Sequence, residues 1–373
     1  MFDIEEKILD VFCLQFNDKL KSNESYEEYI SSFKKDELER LLKINAVILD
    51  DNSKLTRVIS VSNHKKNNVV EEFKKTIKEI YTTILKNVDV DVIMQLEKYL
   101  KTYKKDIFEY NLRNGYFSLH FIELLNTNCI AKVKYSKSDN KLYLYTPVEI
   151  RDILKEILKD KSIKKISKEN KICKSNLYNL MSTYGVITLD KLLEIYNQVY
   201  KKISRDELYD LIMLCGIFDG DMRIAKIDDG YLVYTMAFED DDCALEFYYS
   251  ITDDLNYKIY TKEEYDEIGE GAYHYNFEEF EELDCFLQFK LGMDDELSYM
   301  FDEMFTLDYL YSYQIDNNEA KRKLDINLKK DFSELNIIDK SFICKTILAI
   351  AKNYPNYNYR GYSYNEAREL LDK

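Results

Sequence analysis

A chain of 373 residues with 46% hydrophobic content can bury a sizeable core and divide into about two or three domains, so general disorder is excluded. Nine Gly and two Pro (Pro147 and Pro355) are too few for an all-β chain full of tight turns, so the expected fold class is mainly α with small β-hairpins, an α+β arrangement. The net charge of −16 is concentrated: residues 238–310 hold 23 Asp and Glu against Lys258, Lys262 and Lys290, and that −20 field repels nucleic acid and steers basic protein surfaces.

The start, Met1-Phe2-Asp3-Ile4-Glu5-Glu6-Lys7, carries carboxylates where a secretory signal needs positive charge. The longest apolar run, residues 211–218, falls well short of the ~20 residues that span a bilayer, so a cytoplasmic protein without membrane contact is expected. Apolar residues recur at helical spacing over residues 36–42 and 69–85, with turns expected at 50–53 and 62–68. Residues 116–125 predict a helix, and 130–135 with 142–145, joined by the polar stretch 136–140, predict a hairpin.

Thr146-Pro147-Val148-Glu149 carries a capping residue, a proline and an acid in the order of a helix start. Further helices are expected over 166–181, 188–201 and 204–215, the last opened by the box formed by Ser204 and Glu207. Residues 222–227 and 231–238, joined by Asp228-Asp229-Gly230, predict a second hairpin. Helices followed by a hairpin, twice over, are the plan of a winged-helix domain. Phe277, Phe280 and either Leu283 or Asp284 form one helical stripe, and helices are expected over 337–352 and 364–371. The expected division is an N-terminal helical region (1–108), a first helix-plus-hairpin unit with its linking helix (109–160), a second winged-helix-like unit (161–238) and an acidic, aromatic-rich helical domain (239–373).

The seven Cys are scattered singly with no CxxC spacing, so neither a disulfide framework nor a thiolate zinc site is indicated. Of three His, His64 falls in a turn, His120 reads as a packed helix residue, and His274 lies between Tyr273 and Tyr275. Gly269-Glu270-Gly271 lacks the third glycine and the flanking strand of a phosphate-cradling loop. Asp219-Gly220-Asp221 and Asp228-Asp229-Gly230 lack the twelve-residue calcium loop and read as turn carboxylates. The runs 239–242 and 294–296 read as solvated acids. No catalytic, cofactor-binding or metal-ligating residue is therefore assigned, and a protein without enzymatic activity or cofactor is expected.

The segment Asn353-Tyr354-Pro355-Asn356-Tyr357-Asn358-Tyr359-Arg360-Gly361-Tyr362-Ser363-Tyr364-Asn365-Glu366 resembles the C-terminal signature of a group of uncharacterised Firmicute proteins. In that group a run of Asn, an aromatic and Arg-Gly precedes a Thr/Ser-Pro-x-Glu helix start, and Tyr364 stands here in place of the proline. Tyr184-Gly185-Val186-Ile187, Glu194-Ile195-Tyr196-Asn197 and Tyr260-Thr261-Lys262-Glu263-Glu264-Tyr265 are similar to other segments of the group. Some members carry an N-terminal SAP or Rho-terminator-like motif, which Lys35-Asp36-Glu37-Leu38-Glu39-Arg40-Leu41-Leu42 faintly resembles. The resemblance implies no active site.

The leading expectation is a regulatory or adaptor protein that docks a protein with a basic surface. Its partner-binding residues are expected among Asp240, Asp241, Asp242, Tyr273, Tyr275, Glu278, Glu279, Glu281 and Glu282. A second expectation is a nucleic-acid-binding regulator using the basic stretch 155–174, with Lys161, Lys164, Lys165, Lys168, Lys171 and Lys174 on phosphate. A third is an acidic inhibitor of the kind mobile elements encode, imitating nucleic-acid charge. No oligomeric state is assigned.

Overall fold

The computed structural model describes residues 24–47, 65–103, 107–111, 117–136, 141–218, 220–251, 253–333 and 335–372. The expectations placed on residues 1–7, 50–53 and 137–140, on Cys13 and on His64 fall outside them. The chain is mainly helical with two three-stranded antiparallel sheets. By contact density it forms two compact units, Met1–Cys173 and Lys174–Lys373. Among the described residues no helix is long and apolar enough to cross a membrane.

In the first unit the helices are α1 (Tyr26–Ser32), α2 (Lys35–Val47), α3 (Lys66–Leu85), α4 (Val90–Thr102), α5 (Leu119–Thr127) and α6 (Val148–Ile157). The strands are β1 (Phe108–Asn111), β2 (Lys132–Ser136) and β3 (Lys141–Tyr145), in the order β1-β3-β2. Helix α3 begins at Lys66, so residues 66–68, expected in a turn, form its first turn instead. It buries Val69, Val70, Phe73, Ile77, Ile80, Tyr81 and Ile84, the helically spaced stripe that drives its packing. Tyr29 and Tyr81 lie wholly inside, and both hydroxyls donate to the carbonyl of Cys129, at 3.5 and 3.0 Å. Tyr99 likewise shares a 2.9 Å hydrogen bond with Thr146. With Trp absent, tyrosine supplies many of the large core rings, and the hydroxyls of Tyr29, Tyr81 and Tyr99 each find a partner. Thr146 is thereby committed to the core rather than to capping, and Pro147 occupies the N-cap of α6.

Helix α7 (Ser162–Tyr184) contains the division between the units. The second unit continues with β4 (Val186–Thr188), α8 (Leu189–Val199), α9 (Arg205–Phe218), β5 (Met222–Ile227) and β6 (Gly230–Thr235), the sheet running β4-β6-β5. Gly185 ends α7 in the left-handed conformation (φ +67°) with its N–H on the Met181 carbonyl, and the next residue enters β4. Ser204 and Glu207 form the expected reciprocal cap of α9.

The acidic part comprises α10 (Asp241–Ser250), α11 (Lys262–Gly269), α12 (Glu278–Cys285), α13 (Asp295–Phe301), α14 (Asp308–Ile315), α15 (Asn317–Asp331), α16 (Ile337–Asn353) and α17 (Tyr364–Leu371). A π-helical stretch, Asp302–Leu307, makes α13 and α14 continuous, and a second, Phe286–Lys290, extends α12. Among the described residues the unit holds these two apolar clusters beside other buried side chains. One gathers Val186, Leu232, Tyr234, Phe238, Ala244 and Tyr357, and the other Leu283, Leu287, Phe301, Tyr309, Ile343 and Tyr354.

Candidate functional site

The acids of the second unit are placed by helix physics. Asp240–Asp242 open α10, Glu263 and Glu264 open α11, Glu278, Glu279 and Glu281 open α12, and Asp294–Glu296 open α13. Negative charge in a first turn complements the helix dipole and satisfies unpaired N–H groups. Asp240 accepts from the Cys243 N–H at 2.9 Å, and that bond holds its carboxyl below the usual carboxylate range. Asp241 accepts the Tyr234 hydroxyl, and Asp242 is exposed.

The expected partner-binding residues divide between the two clusters. Asp240, Asp241 and Asp242 belong to a helix packed on the first through Ala244, while the others cover the second. Tyr273 is half-buried, edge-on to Tyr260, Phe277 and Tyr354, and so serves packing. Glu279 accepts from the Asn353 amide at 3.1 Å, whereas Glu278, Glu281 and Glu282 are exposed.

Tyr275 leads to a buried charge. Its hydroxyl donates to Asp302 at 3.0 Å, and burial with the adjacent Asp302 carboxylate pushes the phenol upward. His274, fully buried, has Nε2 3.0 Å from both Asp302 oxygens, so the ring donates there. The π-helical stretch begins at Asp302 and turns this carboxylate inward. With His274 fully buried and Asp302 only 3% exposed, what the pair offers is cohesion. His120, expected to be packed, is exposed beside Glu123, because its side of the short helix α5 faces water.

Two contacts fix how α12 meets α16. Glu279 bonds Asn353, and the Phe286 ring lies 4.5 Å from that of Phe342. Moving forward along one helix therefore moves backward along the other, and the antiparallel pair brings Phe289 to the end where Ile337 and Ile338 begin α16. These three are 85%, 83% and 76% exposed. Gln288 reaches both Asp284 (3.1 Å) and Asp295 (3.4 Å), and Ser298 donates to Asp284 at 2.5 Å, so the start of α13 rims the same corner with acids. Sequence reasoning missed this corner. Its signal was slight: an aromatic between Gln288 and Lys290, and two isoleucines immediately after the Asn336 cap.

The basic stretch runs from the end of α6 into α7 and is partly neutralised. Lys164 pairs with Glu97 at 2.8 Å, Lys171 with Asp89 at 2.8 Å, and Lys165 lies 3.8 Å from Glu169. Lys161 and Lys168 are exposed, and Lys174 is half-buried. Gly269 packs α11 against α7, since a Cβ there would fall 1.9 Å from the Asn179 amide oxygen; the glycine serves close approach. Among the described residues no three His, Cys, Asp or Glu side chains converge to hold a metal ion. A cleft of about 520 Å³ is lined by Tyr178, Thr235, Tyr311, Lys323 and Tyr357, and among its acids Asp316 caps α15 and Glu319 pairs with Arg322. No protein family, curated protein or solved structure matches the chain.

Proposed function

We propose that this chain is a non-enzymatic docking protein, a regulator or adaptor that engages a basic surface of another protein through its acidic, aromatic-rich second half. The observation that carries the reading is the excess of 20 negative charges in residues 238–310 beside apolar side chains left in solvent. Long-range attraction to a basic partner raises the rate of encounter, and exposed rings supply the desolvated anchors that hold it. Affinity purification of the full chain tests it. A stoichiometric protein partner released by high salt is expected, and recovery of none at low salt overturns the reading.

A second reading has one observation in its favour. The order β4-β6-β5, with α8 and α9 between β4 and β5, supports a winged-helix-like unit, and the sheet β1-β3-β2 supports a related plan earlier in the chain. Winged helices often contact nucleic acid through the helix before the hairpin. Here that helix, α9, opens with Arg205, Asp206 and Glu207, and Lys164 and Lys171 of α7 are drawn into ion pairs. A gel shift with duplex DNA at low salt separates the two: retention lost on Lys161→Glu with Lys168→Glu favours the nucleic-acid regulator. Competition between this chain and DNA for one target protein marks the nucleic-acid mimic instead.

A further inference from the structure

The corner where α12 and α16 meet presents three large apolar side chains to water, Phe289, Ile337 and Ile338. Single exposed apolar residues are ordinary on protein surfaces, but three gathered on adjoining helix ends mark a place where association removes apolar surface from water. Helix α13 adds exposed Leu297 and Met300, one turn apart. Around them stand Asp284, Asp294, Asp295 and Glu296, against Lys290 and Lys340 from the same two helix ends.

We propose that this corner anchors a basic amphipathic helix of the partner protein, with Phe289 and Ile338 as its principal contacts. The inference rests on the docking function proposed above. A helix with apolar residues at three- and four-residue spacing offers a stripe to Phe289 and the isoleucines, and Lys or Arg on its flanks meet Asp284, Asp294, Asp295 and Glu296. Charge selects this occupant over a second copy of the chain. A two-fold interface centred here would place the same acids of both copies face to face, which is unfavourable at moderate salt.

The test uses the full chain and a labelled synthetic helix with Leu at helical spacing and Lys on the remaining face, compared with a scrambled peptide of identical composition, by fluorescence anisotropy. The ordered peptide is expected to bind more tightly than the scrambled one. Phe289→Ser with Ile338→Ser is expected to weaken it by at least about tenfold, the loss of a hot-spot anchor, with circular dichroism unchanged. Binding of both peptides equally, unaffected by the double substitution, overturns the anchor but leaves charge-driven docking standing. Binding of neither at low salt overturns both. Self-association that disappears with Ile338→Ser in sedimentation also overturns the proposal, since the occupant is then a second copy.

Discussion

Gly185 and Tyr357 meet so closely that a Cβ on the glycine would lie 2.3 Å from ring carbon Cδ2 of the tyrosine. The glycine ends α7 with positive φ, and the tyrosine belongs to the short turn Tyr357–Tyr359 near the C-terminus. Asn356 holds this turn by donating to the Tyr313 carbonyl at 3.2 Å, and Arg360 donates to the Leu255 carbonyl at 2.8 Å. The segment Asn353–Glu366 is therefore a buckle that ties distant parts of the second unit together. Gly185→Ala combines left-handed strain with a steric clash, for a loss of about 2–4 kcal/mol. Thermal unfolding is expected about 5–10 °C below wild type for a unit of this size. Tyr357→Ala is itself destabilising, but in that background Gly185→Ala should cost less by its steric part, a non-additivity read from a double-mutant cycle.

The buried pair of His274 and Asp302 makes a second prediction. Asp302→Ala leaves the imidazole N–H without an acceptor in a dry environment and should cost about 3 kcal/mol. Replacing both members, His274→Phe with Asp302→Leu, should recover much of that loss, because a packed apolar pair carries no desolvation penalty. Chemical denaturation of the three proteins measures it.

Glu366 gives a pH window. Burial raises its carboxyl, but the Lys258 ion pair at 2.7 Å and the Ser363 cap outweigh burial and hold it below the usual carboxylate range. Since the folded-state value lies below the unfolded one of ~4.3, the stabilisation is complete above that value and vanishes as the pH falls through the folded one. Discounted for a side chain nearly half exposed, it amounts to about 1 kcal/mol. Wild type and Glu366→Gln should differ by that much at neutral pH and converge as acid protonates Glu366 in the folded state, in parallel denaturation curves.

Much of this architecture was legible in residue order. The helices expected over 337–352 and 364–371 are α16 and α17, and Asp228-Asp229-Gly230 announces the turn between β5 and β6. Strands β1 and β4 were not, because three or four residues are too few to display alternation, and Val186-Ile187 gains its strand identity only by pairing with Tyr234 and Val233. The π-helical turn at Asp302 leaves no sequence signature, so the partnership of His274 with a carboxylate 28 residues away was invisible. The exposed corner was illegible for a related reason: whether Phe289 faces water depends on the contact of Phe286 with Phe342, which no periodicity reveals.

The central claim, that the acidic second half docks a basic protein, is tested most directly by measuring the affinity of the purified partner as a function of salt for wild type and for the fourfold variant Glu278→Gln, Glu279→Gln, Glu281→Gln, Glu282→Gln. Wild type should bind with an affinity that falls steeply as salt rises, and the variant should bind at least about tenfold more weakly at low salt with a shallower slope. Equal affinities and equal slopes for the two proteins would contradict it.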